Sequence, residues 1–314
     1  MQSFKPLITF EDEDKIPENS GIALAIGVFD GVHLGHRAII NAVCRIAEKR
    51  GAIPCAVTFE PHPRSVFGNA PELLVPFDER KRLLKKSGAS HVGVINFSAG
   101  VASLAPEKFL DLLVNDRRFH LEGISVGEHW RFGYRGAGGR ELIADYAGKY
   151  GFDFTAVPEL LDGSHTISSS LIRSLVSKGD IKRAAAMLGR NPFLFGTVEK
   201  GFGIAGTKLD APTANLRVSC GVMVPDGVYA AKVHLDGNVF AAAVNVGTAP
   251  TFGVNQRRVE IHLLDWQGNL YGRYLALELV EFLRREKRFD SWCELKEQIS
   301  SDVSKIREIL KSEK

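Results

Sequence analysis

Apolar positions in the first part of the chain follow two alternating rhythms. Residues 23–29 (ALAIGVF), 53–59 (IPCAVTF), 91–97 (HVGVINF) and 123–127 (GISVG) are short apolar runs between glycine-bearing or polar segments, the pattern of buried strands. Residues 37–50, 78–88 and 106–115 instead place apolar side chains at helical spacing. This βαβα rhythm predicts a parallel sheet covered by helices, with ligands at the carboxyl ends of the strands. A first domain over residues 1–190 is expected. From about residue 191 the runs become short and β-rich (194–201, 226–237, 238–247, 258–266, 274–283), and no helical periodicity returns until about residue 285. The dipeptide Asp236-Gly237 between two such runs is a hairpin signal, so residues 191–314 are expected to form a small antiparallel barrel. Leu295, Ile299, Val303, Ile306, Ile309 and Leu310 then recur at helical spacing and predict a closing amphipathic helix over residues 291–310.

Composition narrows the picture modestly. A chain of 314 residues, 45% of them apolar, has material for two separate cores. Forty basic against thirty-seven acidic residues give a net charge of +3, which supports neither a nucleic-acid nor a membrane-surface role, and no obligatory protein partner is implied. The N-terminus lacks an apolar stretch of signal-peptide length and no segment approaches a spanning helix, so a cytoplasmic location is expected. Cys44, Cys55, Cys220 and Cys293 have no CxxC spacing and read as small core residues or free thiols.

The chemistry concentrates in residues 27–36, GVFDGVHLGH, where a strand hands over to a helix N-terminus. Unpaired N–H groups and the helix dipole favour an anion there, and Gly31 or Gly35 lets it approach the backbone. His33 and His36 add directed hydrogen bonds and, when protonated, positive charge for a phosphoryl group. The pattern resembles the HxGH signature of the nucleotidyltransferase superfamily, which implies that Gly27, Phe29, Asp30, Gly31 and Gly35 bind the nucleotide together with the two histidines. A metal-binding pair is the other reading, but no Cys or Glu stands at the spacing of a known zinc motif. Three further clusters are expected at the same strand ends: TFEPHPR (58–64) with His62, VGEHWRFG (126–133) with His129 and Arg131, and ISSSLIR (167–173) with Ser169, Ser170 and Arg173. The serine run also reads as a helix cap. GFGIAG (201–206) satisfies GxGxxG, but the proline and turn residues that follow argue against the helix that a dinucleotide fold or P-loop requires.

From about residue 20 to its end the chain resembles the bacterial bifunctional riboflavin kinase/FMN adenylyltransferases, also called FAD synthetases. The clusters above carry the likeness, together with PTANL (212–216), PDGVYA (225–230), VNVGTAPTF (244–252), EIHLLDW (260–266), LYG (270–272), RREKRFDS (284–291) and QISSD (298–302). The resemblance implies a Rossmann-like nucleotidyltransferase domain followed by a riboflavin kinase barrel, using riboflavin, FMN, FAD and ATP. In the first domain it implies that His33 and His36 bind ATP phosphates and that His62 supports these or the flavin phosphate. Ser169, Ser170 and Arg173 would hold pyrophosphate, and His129 and Arg131 the flavin. In the second domain it implies Glu260 as general base, Thr213 and Asn215 as oxygen ligands of Mg²⁺, Gly201, Gly203 and Gly206 over the nucleotide, and Phe252 near the flavin ring. The chain departs from the family in Leu209-Asp210-Ala211 before Pro212, in His129 and in Ser170. Asp210 and Ala211 motivate an alternative, an FMN adenylyltransferase with a degenerate kinase domain. A flavin-binding sensor without turnover is the reading from a different class.

Overall fold

The computed structural model describes residues 6–199, 214–249, 254–289 and 291–312. The chain divides into two compact units, one comprising Met1–Pro71 and Phe77–Ser168, the other Glu72–Pro76 and Ser169–Lys314.

The first unit runs β1 (Thr9–Phe10), β2 (Ser20–Ile26), α1 (Leu34–Arg50), β3 (Ile53–Glu60), α2 (Pro63–Val66), α3 (Phe77–Lys86), β4 (His91–Asn96), α4 (Ala99–Ala102), α5 (Pro106–Val114), β5 (Phe119–Gly127), α6 (Arg140–Tyr150) and β6 (Asp153–Val157). A two-residue-per-strand hairpin, β7 (Leu161–Asp162) and β8 (His165–Thr166), closes it. The sheet order is β1-β4-β3-β2-β5-β6, with β4 through β6 parallel and β1 antiparallel at the edge. Strands β2 and β3 bury nearly every side chain, which is why they read as continuous apolar runs and not as alternating ones. Their residues Ile22, Leu24, Ile26, Cys55 and Val57 share one core with Phe109, Leu110 and Leu113 of α5 and Phe132 beyond β5. Helix α1 ends at Gly51, in the left-handed conformation with φ 64°, its N–H donating to the carbonyls of Ala47 and Glu48.

In the second unit α7 (Ser169–Ser177) and α8 (Ile181–Leu188) precede β9 (Phe193–Glu199), β10 (Ala214–Cys220), β11 (Gly227–Leu235), β12 (Asn238–Ala249), β13 (Val254–Leu263), β14 (Tyr274–Arg284) and α9 (Trp292–Ser312). The six strands form a closed antiparallel barrel in the order β10-β13-β12-β11-β14-β9. The expected hairpin turn sits between β11 and β12, with Asp236 at φ 51° and Gly237 at φ 77°, both positive as a two-residue turn of this twist demands. Helix α9 closes the barrel as its periodicity foretold: Ile306 is fully buried against Ala230, Leu264 and Val280, with Val303, Ile309 and Leu310 beside it. Helices α7 and α8 cluster with the barrel: α8 packs on β14, where Lys182 pairs with Glu281 at 2.8 Å.

Candidate functional site

Strand β2 ends where the sheet order reverses, with β3 and β4 to one side and β5 and β6 to the other. A parallel sheet opens a crevice at that place, because the connections leave it in opposite directions. The link from β2 to α1 is held at its root. Gly27 donates its N–H to the Val57 carbonyl at 3.1 Å, and the Val28 carbonyl accepts from Thr58 Oγ1 at 2.9 Å and Arg80 Nη1 at 3.3 Å. The link is also strained: Phe29 and the β-branched Val32 both have positive φ, 55° and 42°, and both are buried. Asp30 is buried in the same turn.

His33 is the N-cap of α1, its Nδ1 accepting from the His36 N–H at 3.4 Å. The helix thus begins at Leu34, three residues before the periodicity alone placed it, because the cap is an imidazole instead of the usual Ser, Thr, Asp or Asn. The two imidazoles stack, with centroids 3.6 Å apart and planes 22° apart, and the Phe29 ring meets His36 edge-on at 5.3 Å. A side chain at Gly35 would come within 3.1 Å of His33 Cε1 and press on that ring where it folds across the helix start. Burial, the stacked His33 and the Arg80 guanidinium hold His36 well below the ordinary imidazole value. His36 Nδ1 is buried without a hydrogen-bond partner among the described residues. His36 therefore brings no charge of its own to this corner, and the guanidinium that acts on it, Arg80, is paired with Glu60.

The expectations of the three further clusters fall on other elements. His62 caps α2, its Nδ1 accepting from the Arg64 N–H at 3.1 Å, directly beyond the end of β3. After β5, Trp130 and Phe132 stack at 4.9 Å as part of the core, which leaves His129 and Arg131 outward. His129 Nε2 lies 3.8 Å from Glu128, and a side chain at Gly139 would meet Arg131 Nη1 at 2.6 Å. Ser169 and Ser170 stand in the first turn of α7. Arg173 donates to the Glu72 carbonyl at 2.8 Å and approaches Ser170 Oγ at 3.5 Å, all within the second unit.

In the barrel, Glu260 of β13 lies directly across from Asn215 of β10 on one side and Asn245 of β12 on the other. Residues directly opposite in antiparallel pairs share a face, so the carboxylate and both amides lie together. Burial, with the Glu286 carboxylate adding to it and Arg258 opposing, raises the Glu260 carboxyl above its ordinary value. Asn245 Nδ2 donates to Glu286 at 3.3 Å. Asn215 Oδ1 is buried without a hydrogen-bond partner among the described residues, an arrangement suited to a hard cation that takes oxygen ligands. No cluster of three or more His, Cys, Asp or Glu side chains suited to a metal occurs among the described residues. Gly201, Gly203, Gly206, Thr213 and Phe252 lie outside the described residues, as do Asp210 and Ala211.

Arg80, Asn245 and Glu286 were not singled out by sequence. For Arg80 a signal existed: it precedes the buried Leu83 and Leu84 at helical spacing, on the apolar stripe of a helix otherwise dense in charge.

The sequence matches the model of a family described as FAD synthetase over residues 15–171, and that of a family described as riboflavin kinase over residues 188–310. It is 33% identical over 293 residues to the bifunctional riboflavin kinase/FMN adenylyltransferase of Bacillus subtilis (strain 168), covering 91% of each chain. To the protein of that name from Escherichia coli (strain K12) it is 35% identical over 293 residues, covering 92% of each. A crystal structure described as a macrolide-efflux protein from Streptococcus pneumoniae aligns with TM-score 0.81 at 26% identity, covering 95% of this chain and 97% of that one. No helix among the described residues is long and apolar enough to cross a membrane. With both family matches in tandem and full-length relatives above 30% identity, the chain belongs to the bifunctional riboflavin kinase/FMN adenylyltransferase family.

Proposed function

We propose that this chain phosphorylates riboflavin to FMN with one ATP and adenylylates FMN to FAD with a second, releasing pyrophosphate. The observation that carries this reading is the tandem family match, one activity to each part of a single chain, in relatives that carry both names. We assign adenylyl transfer to residues 1–190 and the kinase to residues 191–314.

In adenylyl transfer an FMN phosphate oxygen attacks the α-phosphorus of ATP and the bond to pyrophosphate breaks. No protein nucleophile is needed, so the residues work by positioning and by stabilising charge. We assign the ATP phosphates to His33 and His36, in the turn built by Gly27, Phe29, Asp30, Gly31 and Gly35. His36, neutral in the free protein, donates an N–H without first burying a charge of its own. We assign His62 to the same phosphates or to that of the flavin, Ser169, Ser170 and Arg173 to pyrophosphate, and His129 and Arg131 to FMN.

In the kinase the riboflavin 5′-hydroxyl attacks the γ-phosphorus, ADP leaves and the hydroxyl proton passes to Glu260. The raised carboxyl makes Glu260 a stronger base than a solvated glutamate. Mg²⁺, when bound with ATP, neutralises phosphate charge, and the unpartnered Asn215 Oδ1 supports a place for it. We assign Thr213 as its second ligand, the loop at Gly201, Gly203 and Gly206 to the nucleotide, and Phe252 to the flavin ring. A cytoplasmic setting completes the reading, supported by four cysteines of which none is in a disulfide.

The test is to incubate the protein with ATP and Mg²⁺ and either riboflavin or FMN, and to separate the flavins over time. FAD from both starting points is expected. FAD from FMN alone would make the kinase degenerate, and tight flavin binding without ATP consumption would make the protein a sensor. The combined change His33→Ala and His36→Ala is expected to abolish FAD formation and spare FMN formation, and Glu260→Ala to do the reverse. Loss of both activities in a folded variant would overturn the site assignment.

A further inference from the structure

We propose that Arg80 is a positioning residue for adenylyl transfer, its buried guanidinium tying the ends of β2 and β3 together beneath the loops that carry His33, His36 and His62. This rests on the adenylyl-transfer reading of the first unit.

Arg80 is 1% exposed, the largest fully buried side chain described. A cation without water must be paired and hydrogen-bonded or it costs several kcal/mol, of the order of the effective burial penalty for an ion. Its partners lie at two strand ends. Nη1 donates to the Val28 carbonyl at 3.3 Å, while Nη2 donates to the Phe59 carbonyl at 3.3 Å and to Glu60 Oε2 at 2.5 Å. Val28 immediately precedes Phe29, whose positive φ opens the turn toward His33. Glu60 immediately precedes the Pro61-His62-Pro63 segment. A strained turn persists only where its surroundings over-determine it, and one planar fork gripping both strand ends does so.

The guanidinium also acts through its field. The charged and titratable groups around the corner are His33 stacked on His36, Arg80 from α3, Glu60 paired with Arg80, the buried Asp30 in the turn and Arg37 next along α1. Among them, His33 and Arg80 both depress His36. A neutral His36 thus faces a guanidinium whose position is already fixed by its pairing with Glu60. That is electrostatic preorganisation, and it costs no proton uptake on binding.

The tests are Arg80→Met and Arg80→Lys in the full chain, read three ways: flavin kinetics from FMN and from riboflavin, the pH dependence of kcat/KM for FMN adenylylation, and the NMR titration of the His36 imidazole in the ligand-free protein. Arg80→Met is expected to lower kcat for FAD formation about a hundredfold, as loss of near-attack geometry does, with riboflavin phosphorylation unchanged. Its His36 titration and the acid limb of kcat/KM should both move to higher pH. Arg80→Lys keeps the charge but not the fork, so it should lose kcat while His36 titrates as in the parent. It serves alone if Arg80→Met does not fold. An unaltered His36 titration in folded Arg80→Met, or wild-type FAD formation in either variant, would overturn the proposal. Failure of the parent protein to make FAD would overturn the adenylyl-transfer reading instead, and the His36 titration would still test whether Arg80 sets that ring.

Discussion

At the scale of single residues, the two candidate groups with shifted protonation, Glu260 and His36, are both withdrawn from water. Glu260 sits on a strand, across from two asparagines, where burial and the Glu286 carboxylate both raise its carboxyl. A raised carboxyl pKa means that the base form is lost at a higher pH than for an ordinary glutamate. The acid limb of riboflavin phosphorylation is therefore expected above the ordinary glutamate range. Glu286→Gln removes the like charge and should move that limb to lower pH, checked by kcat against pH from riboflavin. A limb that stays in place would mean that Glu286 does not act on Glu260. His36 shows the converse case: it is an imidazole kept neutral by burial, His33 and Arg80, so its neutral form persists to lower pH than in solution. Residue type and motif spacing made His36 visible in sequence, whereas Glu260 was picked out by the family resemblance. Their protonation was not visible, because it depends on neighbours such as Arg80 and Glu286 that lie dozens of residues away.

At the scale of elements, the histidine corner depends on how closely α1 lies on β5. A Cβ at Gly123 of β5 would stand 2.3 Å from Ile46 Cγ2 on α1 and 3.2 Å from the Asp153 carbonyl. Gly123→Ala is expected to destabilise the first unit by about 1–3 kcal/mol through overpacking, seen as a lower midpoint in urea unfolding. Its FAD formation should fall more than its FMN formation, because α1 presents His33 and His36. In the second unit, Ile306 anchors α9 on the barrel. Ile306→Ala leaves a cavity there and should cost about 2–5 kcal/mol, with the loss confined to the barrel transition. The strands and long helices were readable because burial on one face or both imposes a period on the sequence. Short pieces such as α2 and α4, at four residues each, carry too few apolar positions to show one.

At the scale of the whole molecule, two family matches in tandem set up a test of whether the two proposed activities can be supplied by separate chains. A mixture of the His33→Ala, His36→Ala protein with the Glu260→Ala protein is expected to convert riboflavin to FAD, although neither does so alone, because FMN released by one becomes substrate for the other. Product separation over time checks this. No FAD from the mixture, with each retained activity intact, would mean that FMN must be handed over within one chain. The parallel sheet, the barrel, the Asp236-Gly237 hairpin and the closing helix followed from the sequence, since periodicity and turn chemistry are local properties. So did the placing of His33 and His36 at a helix start, because a strand, a glycine-bearing turn and a helix are consecutive there. Tertiary structure alone decided that α7 and α8 cluster with the barrel, that Glu260 faces Asn215 and Asn245, and that a buried arginine stands behind the histidines. Each of these depends on segments distant in the chain meeting in space, and a pattern read along one strand or helix carries no record of the partner that will desolvate it.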